Sequence, residues 1–134
     1  MNVLKRETQP LKNSSDVVLA RQKVRQWAIE LHFSLVDQTK LVTAASELAR
    51  NAVQYAGGGS VTVQPLAEGL RRGLRVVFSD HGPGIADIDL AMRDGYSTGG
   101  GLGLGLGGAR RLSNDFAIVS SPESGTRVTI VRWR

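Results

Sequence analysis

Two polar residues stand four positions apart in a segment whose apolar residues recur at helical spacing. Glu47 and Asn51 would lie on the same side of a helix, because residues i and i+4 are neighbours there. The wheel puts both at the margin of the apolar face, with Arg50 on the solvent-facing back. An amide oxygen is a hard ligand that suits Mg²⁺, and a carboxylate can accept a proton from a hydroxyl or orient it. Taken alone, the pair is also compatible with an ordinary amphipathic helix.

A second motif, Asp80-x-Gly82-x-Gly84, follows the alternating apolar segment Leu74–Ser79. Asp80 is therefore expected at the end of a half-buried strand. Two glycines spaced by one residue let the backbone bend and approach a flat ligand closely. A carboxylate only accepts hydrogen bonds, so Asp80 suits an exocyclic amine such as that of adenine. A plain turn is the alternative, since Asp, Gly and Pro are common turn residues.

A third candidate is the glycine-rich segment from Ser97 to Gly108. Gly103–Gly108 formally matches the dinucleotide fingerprint G-x-G-x-x-G, but glycines precede it where that fingerprint requires a strand. The Gly-Lys-[Ser/Thr] of a P-loop does not occur in the sequence. Bare backbone N–H groups that lead into a helix can still bind an anion without a lysine. The segment therefore predicts a phosphate-binding loop or lid, with a disordered linker as the alternative.

Two helices and a small sheet must position these motifs. Helical spacing of apolar residues predicts one helix from the caps Ser14–Asp16 to about Leu31. A second helix is predicted from the cap Ser34 to about Tyr55, ended by Gly57–Gly59. The predicted stripes are Val17, Ala20, Val24, Trp27, Ala28 and Leu31 on the first helix, and Leu41, Ala45, Leu48, Ala52 and Tyr55 on the second.

Alternation and turn residues predict the remaining elements. A hairpin is predicted from Ser60–Leu66 and Leu74–Ser79, with Gly69–Gly73 as its turn. The other predicted elements are a strand at Val3–Thr8, helices at Asp87–Arg93 and from Gly103 to about Leu112, and strands at Phe116–Ser120 and Arg127–Trp133. The order predicts an α/β fold, namely a two-layer α/β sandwich whose mixed sheet carries helices on one face.

Composition limits the function classes. A chain of 134 residues predicts one domain, residues 1–134. It has no Cys and 2 His, which excludes a thiolate site and disfavours a multi-histidine zinc site. No apolar stretch approaches the roughly 18 residues of a membrane span, and the first residues lack a signal-peptide core, so a cytoplasmic protein is expected. A net charge of +5 favours an anionic ligand, whereas 5% aromatic residues leave little for stacking nucleic-acid bases.

The combination and order of the three motifs are more specific than any one of them. Glu47-x-x-x-Asn51, Asp80-x-Gly82-x-Gly84 and Gly103–Leu106 resemble the N, G1 and G2 boxes of the GHKL ATPase/kinase superfamily, and Gly125-Thr126 resembles its last box. That superfamily includes gyrase, Hsp90-type chaperones, histidine kinases and MutL-like proteins. Over essentially the whole chain the sequence resembles RsbT-type serine/threonine kinases, the switch kinases of bacterial stress-response partner-switching modules.

The resemblance implies a role for each matching residue. Asn51 would bind the Mg²⁺ of bound ATP, and Glu47 would be the general base or orienting acceptor for a substrate Ser/Thr hydroxyl. Asp80, aided by Thr126, would bind the adenine amine. The remaining implied nucleotide contacts are Gly82 and Gly84 beside the base, Ile85 packed near it, Ser97 and Thr98 in a lid reaching Gly105, and Gly103, Leu104, Gly105 and Leu106 at the phosphates. The implied partners are a STAS-domain antagonist protein as substrate and a metal-dependent protein phosphatase as activation target.

One position departs from related anti-sigma-factor kinases. They carry an Arg in the lid where this sequence has Gly101, and no Lys or Arg occurs between Gly95 and Ala109. RsbT-type kinases share this lack. Stabilisation of the γ-phosphate would then come from the metal, from backbone amides, or from a cation outside the lid, for which Arg50, Arg110 and Arg111 are the candidates. Two other functions remain open at this point, a nucleotide-gated binding module without catalysis and an anti-sigma factor kinase.

Overall fold

The computed structural model describes residues 1–85, 92 and 105–134. The predicted helix at Asp87–Arg93 and most of the predicted lid lie outside these residues. The described elements, in chain order, are β1 (Asn2–Val3), β2 (Glu7–Leu11), α1 (Ser14–Glu30), α2 (Leu35–Tyr55), β3 (Gly59–Glu68), β4 (Arg71–Asp80), α3 (Gly105–Arg111), β5 (Asp115–Ser121) and β6 (Gly125–Trp133).

The two long helices begin at polar caps. Asn13, rather than Ser14–Asp16, caps α1, and its side chain accepts a hydrogen bond from the Asp16 amide at 3.0 Å. Ser34 caps α2 as predicted and accepts from the Asp37 amide at 3.1 Å. A side-chain oxygen at this position satisfies one of the free amides of the first turn. None of the described helices is long and apolar enough to span a membrane.

The sheet has the order β1-β3-β4-β6-β5, with β2 pairing to β3 beside β1. The prediction of a mixed sheet is wrong for the described strands, because every pair they form is antiparallel. Tight hairpins join β3 to β4 and β5 to β6, and such short connections only allow antiparallel neighbours. Gly69-Leu70 alone forms the first turn, because β3 continues past the predicted end at Leu66 to Glu68 and β4 begins at Arg71, inside the predicted Gly69–Gly73 turn.

The predicted first strand is two strands with a break in register. Val3 pairs with Leu66 and Glu7 with Val63, so the pairing shifts by one residue between them. A shift of this kind is a bulge, and it ends one stretch of pairing before the next begins. The edge of the sheet is therefore divided where a single strand from Val3 to Thr8 was expected.

The helices cover one face of the sheet and the core lies between them, which confirms the two-layer α/β architecture. Both predicted helix stripes enter this core with two exceptions: Trp27 is only partly buried, and Tyr55 is 41% exposed, so its assignment to the stripe is wrong. Tyr55 is the last residue of α2. The core strand residues are Leu11, Val61, Val63, Leu74, Val76, Phe78, Val128 and Ile130.

An ion pair anchors the N-terminal end of α2. The Arg132 guanidinium in β6 donates to Asp37 Oδ1 at 2.8 Å and to the Leu112 carbonyl at 2.8 Å. The hydrogen bond from Arg132 is the main reason why the pKa of the Asp37 carboxyl lies below its usual range. These contacts tie the first turn of α2 to the sheet and to the loop after α3, which fixes the helix that carries Glu47 and Asn51.

Candidate active site

Three polar side chains form one arc on α2, which we call the helix arc: Glu47, Arg50 and Asn51. Glu47 is only 5% exposed, deeper than the core margin that the spacing predicted. Arg50 was predicted to lie on the solvent-facing back of the helix, but its side chain turns toward Glu47. Its Nη2 donates to Glu47 Oε1 at 2.5 Å, and its side chain is 33% exposed. Residues i and i+3 are neighbours on a helix, so a long guanidinium can fold back to a carboxylate one turn earlier.

Asn51 lies beside this pair and is partly exposed. Its amide makes no hydrogen bond to the part of the chain that the structure describes. The amide oxygen is therefore available as a ligand. A single neutral oxygen suits Mg²⁺, which keeps several waters and shares its remaining ligands with substrate phosphates. No cluster of three or more His, Cys, Asp or Glu occurs among the described residues.

Asp80 ends β4 with its carboxylate held on one side. Its Oδ1 accepts from the Gly82 amide at 3.0 Å and from the Thr126 amide at 3.2 Å. The described residues give Oδ2 no hydrogen-bond donor. Because Oδ1 faces two fixed backbone donors, the orientation of the carboxylate is set before any ligand arrives. The free oxygen suits an amine donor such as the one that adenine carries.

Glycines let the backbone close around Asp80. A Cβ on Gly125 (φ +82°) would stand 2.1 Å from the Asp80 carbonyl oxygen, and one on Gly84 (φ +78°) would stand 2.6 Å from the Ser121 carbonyl oxygen. A Cβ on Gly82 would stand 2.7 Å from the Ala56 Cβ, at the C-terminal end of α2. Gly82 is therefore the contact that brings the Asp80 motif against the helix of Glu47 and Asn51.

Ser120 links this motif to the last two strands. Its Oγ accepts from the Ile85 amide at 2.8 Å and lies 2.8 Å from Thr126 Oγ1. We call Asp80, Ile85, Ser120 and Thr126 the strand-end cluster, since they join the ends of β4, β5 and β6. Ser120 was not assigned a role from the sequence. Its alternation with Phe116 and Ile118, which pack against the core, places its side chain on the inner face of the sheet and is the signal that could have found it.

The glycine-rich segment is only partly described. Gly105 begins α3, and Leu106 is buried in the core against α2. The side chain of Leu106 is therefore a packing group, and only its backbone could meet a ligand. Ser97, Thr98, Gly103 and Leu104 lie outside the described residues, so their assignments stay predictions. The described contacts join Asp80, Gly82, Gly84, Ile85 and Thr126 into one cluster, and the contact of Gly82 with Ala56 places this cluster at the C-terminal end of the helix that bears Glu47 and Asn51.

Comparisons with known proteins identify the family and the fold of the chain. The family described as histidine kinase-, DNA gyrase B- and HSP90-like ATPase matches residues 36–134. The serine/threonine-protein kinase RsbT of Bacillus subtilis is 46% identical over 118 residues, which are 88% of this chain and 89% of that protein.

Solved structures show the same fold at low identity. The RsbU and RsbW domains of a Mycobacterium tuberculosis protein match with a TM-score of 0.61 and 19% identity, over 96% of this chain and 33% of that one. The mycobacterial sensor histidine kinase MprB matches with a TM-score of 0.53 and 21% identity, over 96% of this chain and 97% of that one. The chain therefore belongs to the GHKL family of ATPases, and within it to the serine/threonine kinases of the RsbT type.

Proposed function

We propose that residues 1–134 form a single GHKL-type ATP-binding kinase domain that phosphorylates a serine or threonine of a STAS-domain antagonist protein in a bacterial partner-switching pathway. When released from that protein, the kinase activates a metal-dependent protein phosphatase. We place this pathway in the cytoplasm. The observation that carries the proposal is the meeting of two motifs: Gly82, whose amide holds the Asp80 carboxylate, packs against Ala56 at the end of the helix that bears Glu47 and Asn51.

The strand-end cluster is the proposed adenine site. Asp80 Oδ2 is its free acceptor, while Oδ1 is occupied by the amides of Gly82 and Thr126. Gly82 and Gly84 keep the backbone free of side chains where the base would lie, and Ile85 contributes an apolar surface beside it. An acceptor at this position favours the amino group of adenine over the carbonyl oxygen of guanine, which would make ATP the preferred nucleotide.

The helix arc is the proposed catalytic end. The substrate Ser/Thr hydroxyl donates its proton to the Glu47 carboxylate as its oxygen bonds to the γ-phosphorus. The bond from that phosphorus to the β–γ bridging oxygen breaks, and ADP leaves with the electron pair. Phosphoryl transfer requires mainly positioning and neutralisation of charge, so one oriented carboxylate is sufficient for the protein's part in the proton transfer. Asn51 would hold Mg²⁺, which neutralises phosphate charge when bound.

The direct test is transfer of labelled γ-phosphate from ATP to a purified STAS-domain partner. We expect Glu47→Gln to retain ATP affinity and to lower the transfer rate by about 10²–10⁴-fold, the usual contribution of a general base. Glu30→Gln is the matched control, because Glu30 is exposed near the C-terminal end of α1, and it should transfer at the parent rate. Equal rates for Glu47→Gln and the parent would overturn the role of Glu47.

Asn51→Ala tests metal-dependent ATP binding separately from phosphoryl transfer. We expect this variant to lose the Mg²⁺-dependent part of its ATP affinity in calorimetry, since the free amide oxygen is gone. Identical titrations for variant and parent would contradict the assignment. Tight ATP binding by the parent with no labelling under any combination of partners would instead favour a nucleotide-gated binding module. Direct capture of a sigma factor would favour an anti-sigma factor kinase.

A further inference from the structure

The ion pair within the helix arc joins groups of unequal burial. The Glu47 side chain is 7% exposed and that of Arg50 is 33% exposed, with 2.5 Å between Oε1 and Nη2. Removing a carboxylate from water is costly unless it is paired or hydrogen-bonded. Arg50 provides both the charge and the donor, and the exposed part of its guanidinium remains in contact with water. The pair therefore gives one oxygen of this buried carboxylate a charged hydrogen-bond partner.

The two oxygens of Glu47 differ in their surroundings. Oε1 is taken by Arg50, and the described residues give Oε2 no hydrogen-bond donor. The Glu47 side chain keeps 7% of its surface exposed, and Oε2 is not among the fully buried side-chain atoms that lack a partner in the described structure. One oxygen of the carboxylate is held by Arg50, and the other remains available as an acceptor.

We propose that Arg50 is a positioning residue for phosphoryl transfer, which holds Glu47 through Oε1 and leaves Oε2 to accept the substrate hydroxyl. The inference rests on the proposed role of Glu47. Phosphoryl transfer depends mainly on positioning, so a carboxylate whose orientation is fixed by Arg50 meets its main requirement. Arg50 acts through Glu47 and not on the nucleotide.

Two other roles for Arg50 make opposite predictions. In the first, Arg50 replaces the lid arginine that this sequence lacks and contacts the γ-phosphate, so its loss would weaken ATP binding. As a restraint that occupies the base, Arg50 would inhibit, and its loss would raise the transfer rate. A positioning role predicts a lower kcat with unchanged ATP affinity.

The test is a double-mutant cycle of Glu47→Gln and Arg50→Met, with Arg50→Lys as the conservative variant. Methionine keeps a long apolar stem without a donor, and lysine restores one charged donor. Single-turnover transfer to the STAS-domain partner gives the rate, calorimetry gives the Kd for ATP, and thermal unfolding monitors the fold. Arg25→Gln is the control, since Arg25 is an exposed arginine of α1.

We expect Arg50→Met to lower kcat by about tenfold or more, a part of what a general base supplies, with the Kd for ATP unchanged. Arg50→Lys should recover much of the lost rate, and Arg25→Gln should match the parent. In the Glu47→Gln background, Arg50→Met should change the residual rate by less than about twofold, because residues that act as a unit are not additive. Where that residual rate is too low to measure, recovery by Arg50→Lys decides.

The proposal is overturned by a weaker Kd for ATP with unchanged kcat, by a higher kcat, or by an equal loss of rate in both backgrounds. No recovery by Arg50→Lys at full ATP affinity also overturns it. Should Arg50→Met not fold, Arg50→Gln replaces it. Full activity of Glu47→Gln alone would refute the proposed role of Glu47, whereas full activity of Arg50→Met with an impaired Glu47→Gln would refute only the role of Arg50.

Discussion

The two halves of the site are held in different ways. The strand-end cluster joins three strand ends through backbone amides and hydroxyls, and glycines at its contacts leave no room for a Cβ. The helix arc depends on a single helix, one ion pair between Glu47 and Arg50, and an Asn51 amide with no partner in the described structure. The first is fixed by many short contacts between separate elements, and the second by one contact between neighbouring turns.

This difference matches the two tasks proposed for the halves. A base-recognition site selects by the direction of a donor or acceptor, so it gains from a carboxylate whose orientation is set in advance. A transfer site must exchange water, metal and substrate, so it gains from oxygens that have no hydrogen-bond partner within the protein. Substitutions at the strand-end cluster should therefore affect stability and base choice, whereas those at the helix arc should affect metal-dependent binding and the rate of transfer.

The largest effect on stability is expected from Gly125→Ala. The new Cβ would lie 2.1 Å from the Asp80 carbonyl oxygen at a residue with φ +82°, so both a clash and a strained backbone would result. We expect the free energy of unfolding, measured by urea titration, to fall by about 2–5 kcal/mol.

Gly69→Ala is the matched control for this change. Gly69 also has a positive φ (+59°), but a Cβ there would meet no atom within 4 Å. It should lose only the backbone component, about 1 kcal/mol. If Gly125→Ala is as stable as Gly69→Ala, the strand-end cluster is not the tightly closed half of the site.

The next effect concerns nucleotide choice in Asp80→Asn. The amides of Gly82 and Thr126 face Oδ1, so the asparagine oxygen should take that position and direct its NH₂ group to the place of Oδ2. A donor then replaces the acceptor. We expect calorimetry to show ATP binding weakened by about 1.5–3 kcal/mol and the preference over GTP reduced.

Asp115→Asn is the control for Asp80→Asn, since Asp115 is exposed on the edge strand β5. It should bind both nucleotides like the parent. An unaltered ratio of the ATP and GTP dissociation constants in Asp80→Asn would refute the adenine role, even if overall affinity fell.

A smaller effect is expected from Ser120→Ala. Removing Oγ leaves the Ile85 amide without its acceptor and the Thr126 hydroxyl without its partner. We expect a loss of about 1–2 kcal/mol in the free energy of unfolding, without nucleotide present. Ser113→Ala removes a hydroxyl that donates to the carbonyl of Ala109 within α3. This variant should lose less of the free energy of unfolding than Ser120→Ala. A larger loss in Ser113→Ala than in Ser120→Ala would show that the Ser120 hydroxyl does not hold the strand ends together.

The sequence predicted the local parts of this site better than the contacts between them. Regular geometry predicts that Glu47 and Asn51 share one side of a helix and that Asp80 ends a strand. The structure confirms both elements, α2 and β4. The depth of Glu47 could not be predicted, because it depends on how α2 packs against α3 and the sheet. The bridge through Ser120 joins residues 35 positions apart, and such pairing follows from topology rather than local pattern.

The errors have the same origin. Tyr55 fits the helical stripe but is the last residue of α2 and is 41% exposed, so spacing alone overestimated its burial. Arg50 was assigned to the solvent side by its angle on the wheel, which neglects the reach of a guanidinium along its own helix. The mixed sheet was inferred from the order of helices and strands, whereas the pairing direction is decided by the short turns at Gly69 and after Ser121.

The smallest effect is expected at the far end of α2, in Asp37→Asn. The hydrogen bond from Arg132 keeps the pKa of the folded Asp37 carboxyl below that of the unfolded chain, which is about 3.9. The pair therefore stabilises the fold above that value, and the contribution is lost as pH falls through the folded pKa. Both side chains are partly exposed, so we expect only about 1 kcal/mol at pH 7.

Unfolding by urea at pH 7 and at pH 3 measures this contribution. The difference between parent and Asp37→Asn should shrink at the lower pH, because the parent carboxyl is then increasingly protonated as well. A difference that stays constant between the two pH values would mean that the charge of Asp37 contributes nothing. Since α2 carries the helix arc at its other end, the same variant should keep the parent's ATP-to-GTP preference and change only the stability of the helix anchor.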